Sequence, residues 1–357
     1  MKICIIGTRG FPKVQGGTEK HCEMLYPKFG EEYDFIVYRR RPYVVATPAY
    51  PHIRFKDLPS TRIKGFEAAF HSFIATICAV FSDCELIHYH NIGPAMFSWI
   101  AKLAGKKVVL TYHSANYEHE KWGKMARCLL RLCERIALSC ADRIIFVSKF
   151  QLEKYSDKVQ QKSVYIPNGI PETVATTRTD YIRSLGLEKG HYVLGIGRIT
   201  PEKGFDVLIR AFEQVNTDYK LVIAGSVETE SEYLTKLKQL VKSDRVVFTG
   251  YVEGENLNEL YSHAGLYVLS SRNEGFPIVL LEAMSYGLDV LVSDIPATHL
   301  VSLEASDYFQ KEDVEDLIQQ LEKKFHCMDI VSRRSYDLTR FNWLHIAKDT
   351  ANVYKET

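Results

Sequence analysis

None of the eight cysteines in this 357-residue chain stands in a CxxC pair, so the usual spacing of a zinc ribbon or a dithiol redox site is missing. Cys128, Cys133 and Cys140 share one long helical pattern, where reduced thiols act as small apolar side chains. No disulfide framework is expected. Long apolar runs are missing too. The longest, FEAAFHSFIATICAVF at 66–81, contains Glu67 and His71 and falls short of the roughly 20 residues needed to cross a bilayer; it reads as a buried helix. There is no GxxxxGK[ST], no HExxH, no low-complexity tract and no short-period repeat, which excludes the P-loop and zincin signatures and the repeat architectures. Met1 runs directly into KICIIGT with no charged leader or small-residue cleavage site, from which a cytoplasmic location is expected.

What the chain does hold is an uneven charge. The formal net charge of +1 combines 25 Lys+Arg against 15 Asp+Glu in residues 1–170 with 20 against 29 in residues 171–357. A basic half suits nucleic acid, an anionic membrane surface or a phosphorylated substrate, and a dipolar surface with no partner would carry the same counts. With 46% hydrophobic residues the chain can fill two cores.

Strand-like runs alternate with helix-length segments through both halves. KICIIGT, DFIVYRR, IRFKDL, ELIHYHN, KKVVLTYH, RIIFVS and SVYIPNG fall in the first; YVLGIGR, KLVIAGS, RVVFTGY, GLYVLSS and DVLVSD fall in the second. Continuous apolar strands mark parallel sheets covered on both faces. The fold class expected is α/β, with two Rossmann-like doubly wound domains at 1–170 and 171–340, joined by the Pro- and Thr-rich linker 167–180. Such a short linker is expected to hold the domains face to face across a cleft. Phe341, Leu344, Ala347, Ala351 and Tyr354 lie at helical spacing and predict a closing amphipathic helix over 341–357.

Ligands of open α/β sheets bind beyond the carboxyl ends of the strands, and the chemistry-bearing residues sit there. GTRGFPKVQGGTEKH places Gly7, Gly10, Gly16 and Gly17 between the first strand and a helix, suited to an anion on bare backbone N–H groups. The spacing is not GxGxxG, and the second strand ends in RRR where an NAD site would have an acid; a plain tight turn accounts for the glycines equally. In GRITPEKGF, Arg198 and Lys203 flank a strand-to-helix turn that suits a diphosphate. In SRNEGFPIVLLEAM, Glu274 sits on a turn and Glu282 lies a turn down the helix that follows, with Pro277 in its first turn. Two separated carboxylates can accept from the hydroxyls of two sugar rings, and the backbone N–H groups of Gly275 to Ile278, across Phe276 and Pro277, would face the phosphates or sugar between them. Taken singly, a solvated cation, a surface glutamate or a capping glutamate would explain each.

In combination, strand–GR–x4–KG, EGFP, Glu282 and GLDVLVSD resemble the retaining glycosyltransferases of family four, which have the GT-B fold of two facing Rossmann-like domains with an interdomain cleft. The first-half stretches IIGTRGFPKVQGGTEKH, HYHNIGPAMFSW and KKVVLTYHSANYEHEKWGK look like the bacterial subgroup that builds cell-surface polysaccharides, some of whose members are called rhamnosyltransferases. The resemblance implies that Arg198 and Lys203 hold the diphosphate of a nucleoside-diphosphate sugar donor. It implies that Glu274 contacts the transferred sugar, Glu282 the donor ribose, and backbone near Val252 the base. Gly16 and Gly17 would form a loop against the diphosphate or acceptor, and His113 would lie near the transferred sugar. Asp289 stands where the pattern has Pro, and Thr298 and His299 replace its more usual polar pair.

The expected reaction is transfer to a saccharide hydroxyl with retention. Fixed cations would stabilise the departing diphosphate, and no cofactor or metal is required. His88 with His90, or His113 with His119, invite a metal reading, but no carboxylates complete a site by spacing. A glycosidase pair is disfavoured because Glu282 sits too far down its helix. A nucleotide-sugar epimerase of similar fold, a non-catalytic nucleotide-sugar-binding subunit and a nucleic-acid binder remain as alternatives. Residues 121–143 interleave Lys121, Lys124, Arg127, Arg131 and Arg135 with Trp122, Leu129, Leu130, Leu132 and Ile136. That pattern would lie against anionic headgroups, as a polyprenyl-diphosphate-linked acceptor would require, or would equally make a helix with one core face.

Overall fold

The computed structural model describes the chain except residues 15, 45–48, 62–65, 115–122, 171–172, 228–231 and 328–332. Contacts divide it into two compact units, Met1–Gly169 with Thr339–Thr357, and Ile170–Leu338.

Each apolar run of the first half becomes a strand: β1 Lys2–Ile6, β2 Asp34–Arg40, β3 Ile53–Leu58, β4 Leu86–His90, β5 Lys107–Tyr112, β6 Arg143–Phe146 and β7 Ser163–Tyr165. They pair in the order β3-β2-β1-β4-β5-β6-β7, parallel throughout. Side chains alternate between faces of a strand, and here both faces are core. Ile3, Ile5, Phe35, Val37, Leu86 and Val109 enter one cluster, while Cys4, Ile6, Ile36, Tyr38, Ile87 and Leu110 enter another.

The second unit repeats the plan with β8 Tyr192–Ile196, β9 Lys220–Ala224, β10 Val246–Gly250, β11 Leu266–Leu269, β12 Asp289–Ser293 and β13 Tyr308–Phe309. Their order is β10-β9-β8-β11-β12-β13, again all parallel. The two-residue β13 has no counterpart in the sequence reading; it is too short to carry an apolar run.

Three expectations need correction. The helix Glu67–Val80 buries a stripe of small and polar residues, His71, Ser72, Ala75, Thr76 and Ala79, and leaves Phe73 and the flanking Phe66 and Phe81 exposed, so it is not buried all round. Cys128 is exposed while Cys133 is buried. On the last helix, Trp343–Glu356, Leu344 points to solvent; the buried stripe is Trp343, Ile346, Ala347, Thr350, Ala351 and Tyr354. The large indole sets the helix rotation: Trp343 packs so close to Gly169 that a Cβ there would lie 2.6 Å from the ring. This helix joins the β1 core of the first unit, where Tyr354 stacks on Phe29 with ring centroids 5.7 Å apart.

Asn342 caps that helix, its side-chain oxygen accepting from the Leu344 N–H at 2.8 Å. Replacing it with Ala is expected to lower stability by about 1 kcal/mol, read from the urea midpoint, with Asn342→Asp retaining most of it.

Candidate functional site

Two clusters stand at strand carboxyl ends, one in each unit. In the second unit, β8 runs out through Gly197 and the half-buried Arg198 into a short turn, Pro201–Lys203, and then Gly204. Gly204 is left-handed at φ 63, and a Cβ on it would lie 2.0 Å from the Ser270 carbonyl oxygen. Only glycine allows the helix Phe205–Phe212 to start this close to the end of β11. The Ser270 hydroxyl donates to the Lys203 carbonyl at 2.9 Å. Drawn together in this way, the Lys203 ammonium forms an ion pair with the Glu274 carboxylate, both largely buried, and Ser271 Oγ donates to the same carboxylate at 2.7 Å.

Arg272 fixes the surrounding turn and is a residue that sequence reasoning missed. Its backbone N–H donates to the Glu202 carbonyl at 2.8 Å, and its guanidinium forks onto both carboxylate oxygens of Asp206 at 2.9 and 2.8 Å. Burial opposes ionisation of Asp206, but hydrogen bonds from Arg272 and Tyr233 outweigh it and hold the carboxyl below the ordinary value. Nothing in a lone Arg beside an EGFP turn announces this role.

The helix carrying Glu282 spans Ile278–Ser285, and Pro277 is its N-cap, with extended ψ of 96°, rather than a first-turn residue. Phe276 is buried, with Gly275 and Ile278 half-buried. Glu282 lies on the second turn and accepts from the Tyr261 hydroxyl at 2.9 Å. Tyr286 stacks on Tyr261 at 5.1 Å. Between these carboxylates and the core, the Tyr267 hydroxyl is buried without a hydrogen-bond partner. Burial, then the charges of Glu274 and Glu282, push its pKa well up. Val252 is half-buried, two residues beyond β10.

In the first unit, Gly7 passes so near β4 that a Cβ would meet the His90 carbonyl oxygen at 2.2 Å. Gly16 caps the helix Gly17–Leu25, and Gly17 has open space where a side chain would stand. The carboxylate of Glu19 folds back to accept from the Arg9 N–H at 3.0 Å. The half-buried His113, immediately after β5, joins a cluster of histidines. Its Nε2 lies 3.0 Å from His90 Nδ1; His90 Nε2 lies 2.5 Å from the Tyr26 hydroxyl, which is 3.2 Å from His88 Nδ1. Tyr354 and Thr111 complete the partners of His88, each at 2.7 Å. Burial, then neighbouring imidazoles, holds His90 and His113 well below the ordinary histidine value, and burial lowers His21 to about 4 and His88 to about 3. The expected His113–His119 pairing falls on a residue outside those described. The structure groups His113 with His90 and His21 instead, and these three could hold a metal ion. His21 comes from a helix, so strand spacing gave no sign of it.

A chain with two all-parallel Rossmann-like units, cations and carboxylates at strand ends of one and a glycine loop on the other is a GT-B protein. Residues 15–174 match the model for Glycosyltransferase Family 4, and residues 177–328 match Glycosyl transferases group 1. The chain has the GT-B fold, and its two halves are similar to glycosyltransferases of these families, several bacterial polysaccharide glycosyltransferases among them. An uncharacterized glycosyltransferase of Methanocaldococcus jannaschii is 33% identical over 191 residues, 50% of this chain and 48% of that one. The GDP-mannose:cellobiosyl-diphosphopolyprenol alpha-mannosyltransferase of Xanthomonas oryzae is 23% identical over 85% of this chain and 83% of that one. Sucrose-phosphate synthase from Thermosynechococcus elongatus superposes with a TM-score of 0.84 at 21% identity, over 99% of this chain and 98% of that one. The matched segments span about half the length of the first curated relatives.

Because its folded pKa is depressed, Asp206 contributes stability above the ordinary carboxyl value and loses it as pH falls through the lower folded value. Arg272→Gln is therefore expected to be less stable than wild type at neutral pH, with the gap narrowing below about pH 4, as followed by urea unfolding at a series of pH values.

Proposed function

We propose that the chain transfers a sugar from a nucleoside-diphosphate donor to a hydroxyl of a saccharide acceptor, with retention at the anomeric carbon and no metal in the transfer step, in building a cell-surface polysaccharide. The observation that carries this reading is the Lys203–Glu274 pair at adjoining strand ends, with Arg198 leaving the same strand. It puts a cation for phosphate beside an acceptor for sugar hydroxyls.

In this reading Lys203 exchanges part of its contact with Glu274 for donor phosphate oxygens, and Arg198 supplies a second positive group. Glu274 then holds the transferred sugar, Glu282 the ribose, and backbone from Gly275 to Ile278 and near Val252 the remaining donor groups. On the first unit, Gly16, Gly17 and His113 serve the acceptor and the transferred sugar. The bond from the anomeric carbon to the diphosphate oxygen breaks as the acceptor oxygen bonds on the same face, and the acceptor proton passes to the departing phosphate. Glu274 is a positioning group because Lys203 and Ser271 already occupy its carboxylate.

We assign residues 1–170 to the acceptor side, 171–340 to the donor side and 341–357 to the closing helix. A polyprenyl-diphosphate-linked acceptor agrees with the name of the Xanthomonas relative. No described helix is long and apolar enough to cross a membrane, but the helix Lys124–Cys140 presents Met125, Leu129 and Leu132, 88%, 55% and 51% exposed, beside the exposed Lys124, Arg131 and Arg135. Lys121 and Trp122 lie outside the described residues. The helix Ser98–Leu103, packed on this one, adds exposed Trp99 and Leu103. Apolar side chains framed by cations suit anionic headgroups, and we place the protein at the cytoplasmic face of the membrane.

Among UDP, GDP and dTDP, one is expected to raise the melting temperature selectively, with the effect lost in Arg198→Ala. Lys203→Ala is expected to lower kcat/KM for transfer about 100- to 1,000-fold. Isomerised donor with no transfer would instead identify an epimerase, and binding without turnover a non-catalytic subunit. With anionic liposomes the protein is expected to float, and Met125→Asp with Leu129→Asp to leave it in the soluble fraction; wild type that stays soluble overturns the membrane assignment.

A further inference from the structure

The histidine cluster of the first unit is more than a hydrogen-bonded core. His21, His90 and His113 each offer one ring nitrogen, all within 4.8 Å of one another. They come from three different elements: the helix Gly17–Leu25, the last residue of β4 and the residue after β5. That is the carboxyl edge of a parallel sheet, where ligands of α/β folds bind.

Two details separate this group from ordinary buried histidines. The first is His21, whose Nδ1 lies 2.7 Å from Asn168 Oδ1 while its Nε2 is buried with no hydrogen-bond partner. The Asn168 carbonyl oxygen accepts from Nδ1–H, so Nε2 carries the unsatisfied lone pair. An unpaired buried acceptor is costly in a folded protein, and a metal ion satisfies it directly. The second is that the far nitrogen of His90 is held by the Tyr26 hydroxyl at 2.5 Å. Metal-binding imidazoles are ordinarily fixed through their second nitrogen in this way.

We infer that His21, His90 and His113 form a site for a Zn²⁺-class transition-metal ion, with three imidazole nitrogens as protein ligands and one coordination position open. Neutral imidazole suits Zn²⁺, Co²⁺, Ni²⁺ or Cu²⁺ and not Mg²⁺ or Ca²⁺, which take oxygen ligands. The His90 Nδ1–His113 Nε2 separation of 3.0 Å is near the ~3.4 Å edge of a tetrahedral ion with Zn–N of about 2.1 Å. A separation at the 4.8 Å limit closes by about 1.4 Å on binding, and the half-buried His113 gives the ion an entry. Proton balance is met inside the cluster. His90 Nε2–H donates to Tyr26, the Tyr26 and Tyr354 hydroxyls both point their protons at His88 Nδ1, and His90 Nδ1 is left with its lone pair. His113 likewise carries its proton on Nδ1, so three neutral rings bind the ion without net proton release. The same burial that depresses these imidazoles keeps them unprotonated at neutral pH. The site uses His113, which the transfer reading gives to the acceptor and the transferred sugar, so a metal held there would occupy that histidine; metal binding is read without turnover and does not depend on the transfer reading.

The test is a Co²⁺ titration of tag-free, chelator-treated full-length protein, followed by visible absorption, with Zn²⁺ and Mg²⁺ compared by thermal shift. One equivalent of Co²⁺ should give an intense tetrahedral ligand-field band that Zn²⁺ abolishes, and Zn²⁺ but not Mg²⁺ should raise the melting temperature. His21→Gln should lose the band. His113→Gln, at a half-buried position and so better tolerated, should lose it too, and Asn168→Ala should weaken binding about 10- to 100-fold. A wild-type protein with no such band, or a band that survives in folded His113→Gln, overturns the site.

Discussion

In a parallel sheet every strand must be reached by a crossover, so all carboxyl ends emerge along one edge. Each unit of this chain obeys that constraint without exception among the described strands, and the positions of its polar residues follow from it. Arg198 and Lys203 follow β8, Ser270, Ser271 and Glu274 follow β11, and His90 and His113 close β4 and β5. Within each unit, none of these side chains needs a special fold to meet its neighbours. They need only short connections at one edge and glycines where backbones touch, as Gly204 does against Ser270 and Gly7 against His90.

The electrostatics of the second unit are layered on that geometry. An ammonium and a carboxylate as enclosed as Lys203 and Glu274 would each be costly to bury alone, and each offsets that cost for the other. Behind them, Arg272 and Asp206 form a second pair with fork geometry that ties the turn after β11 to the helix after β8. In the proposed transfer reaction the donor would open the first pair, while the second holds the elements so that opening costs little reorganisation.

Legibility in the sequence tracked side-chain burial. The central strands were readable because residues such as Ile3 to Ile6 or Leu221 to Ala224 are buried on both faces and so form unbroken apolar runs; β13, two residues long, leaves no such trace. Glu274 and Glu282 stood out because carboxylates are foreign to an apolar segment. Arg272 did not, since a charged residue in a turn is the ordinary case until its partner, 66 positions away, is known. The rotation of the last helix was misread for a related reason: Leu344 and Trp343 are both apolar, and only the room beside Gly169 decides which one goes inside. His21 was invisible as part of a cluster because its companions lie on strands far along the chain.

Neutral histidines in a core raise the question of what keeps so many polar nitrogens there. Four imidazoles are linked by ring contacts through His90, with His88 and His90 centroids 4.5 Å apart and His21 and His113 at 4.8 Å. A core built for stability alone would use apolar residues of the same volume, since each imidazole nitrogen must find a partner or lose its hydration uncompensated. Most here do find one, through Tyr26, Tyr354, Thr111 and Asn168. Such a network has two internally consistent proton arrangements, differing in whether Tyr26 donates to His88 or to His90. It can therefore present His90 Nδ1 toward His113 either as a donor or as a bare lone pair; with the His113 proton on Nδ1, the second arrangement leaves two lone pairs facing each other at 3.0 Å, and a metal ion between them would satisfy both.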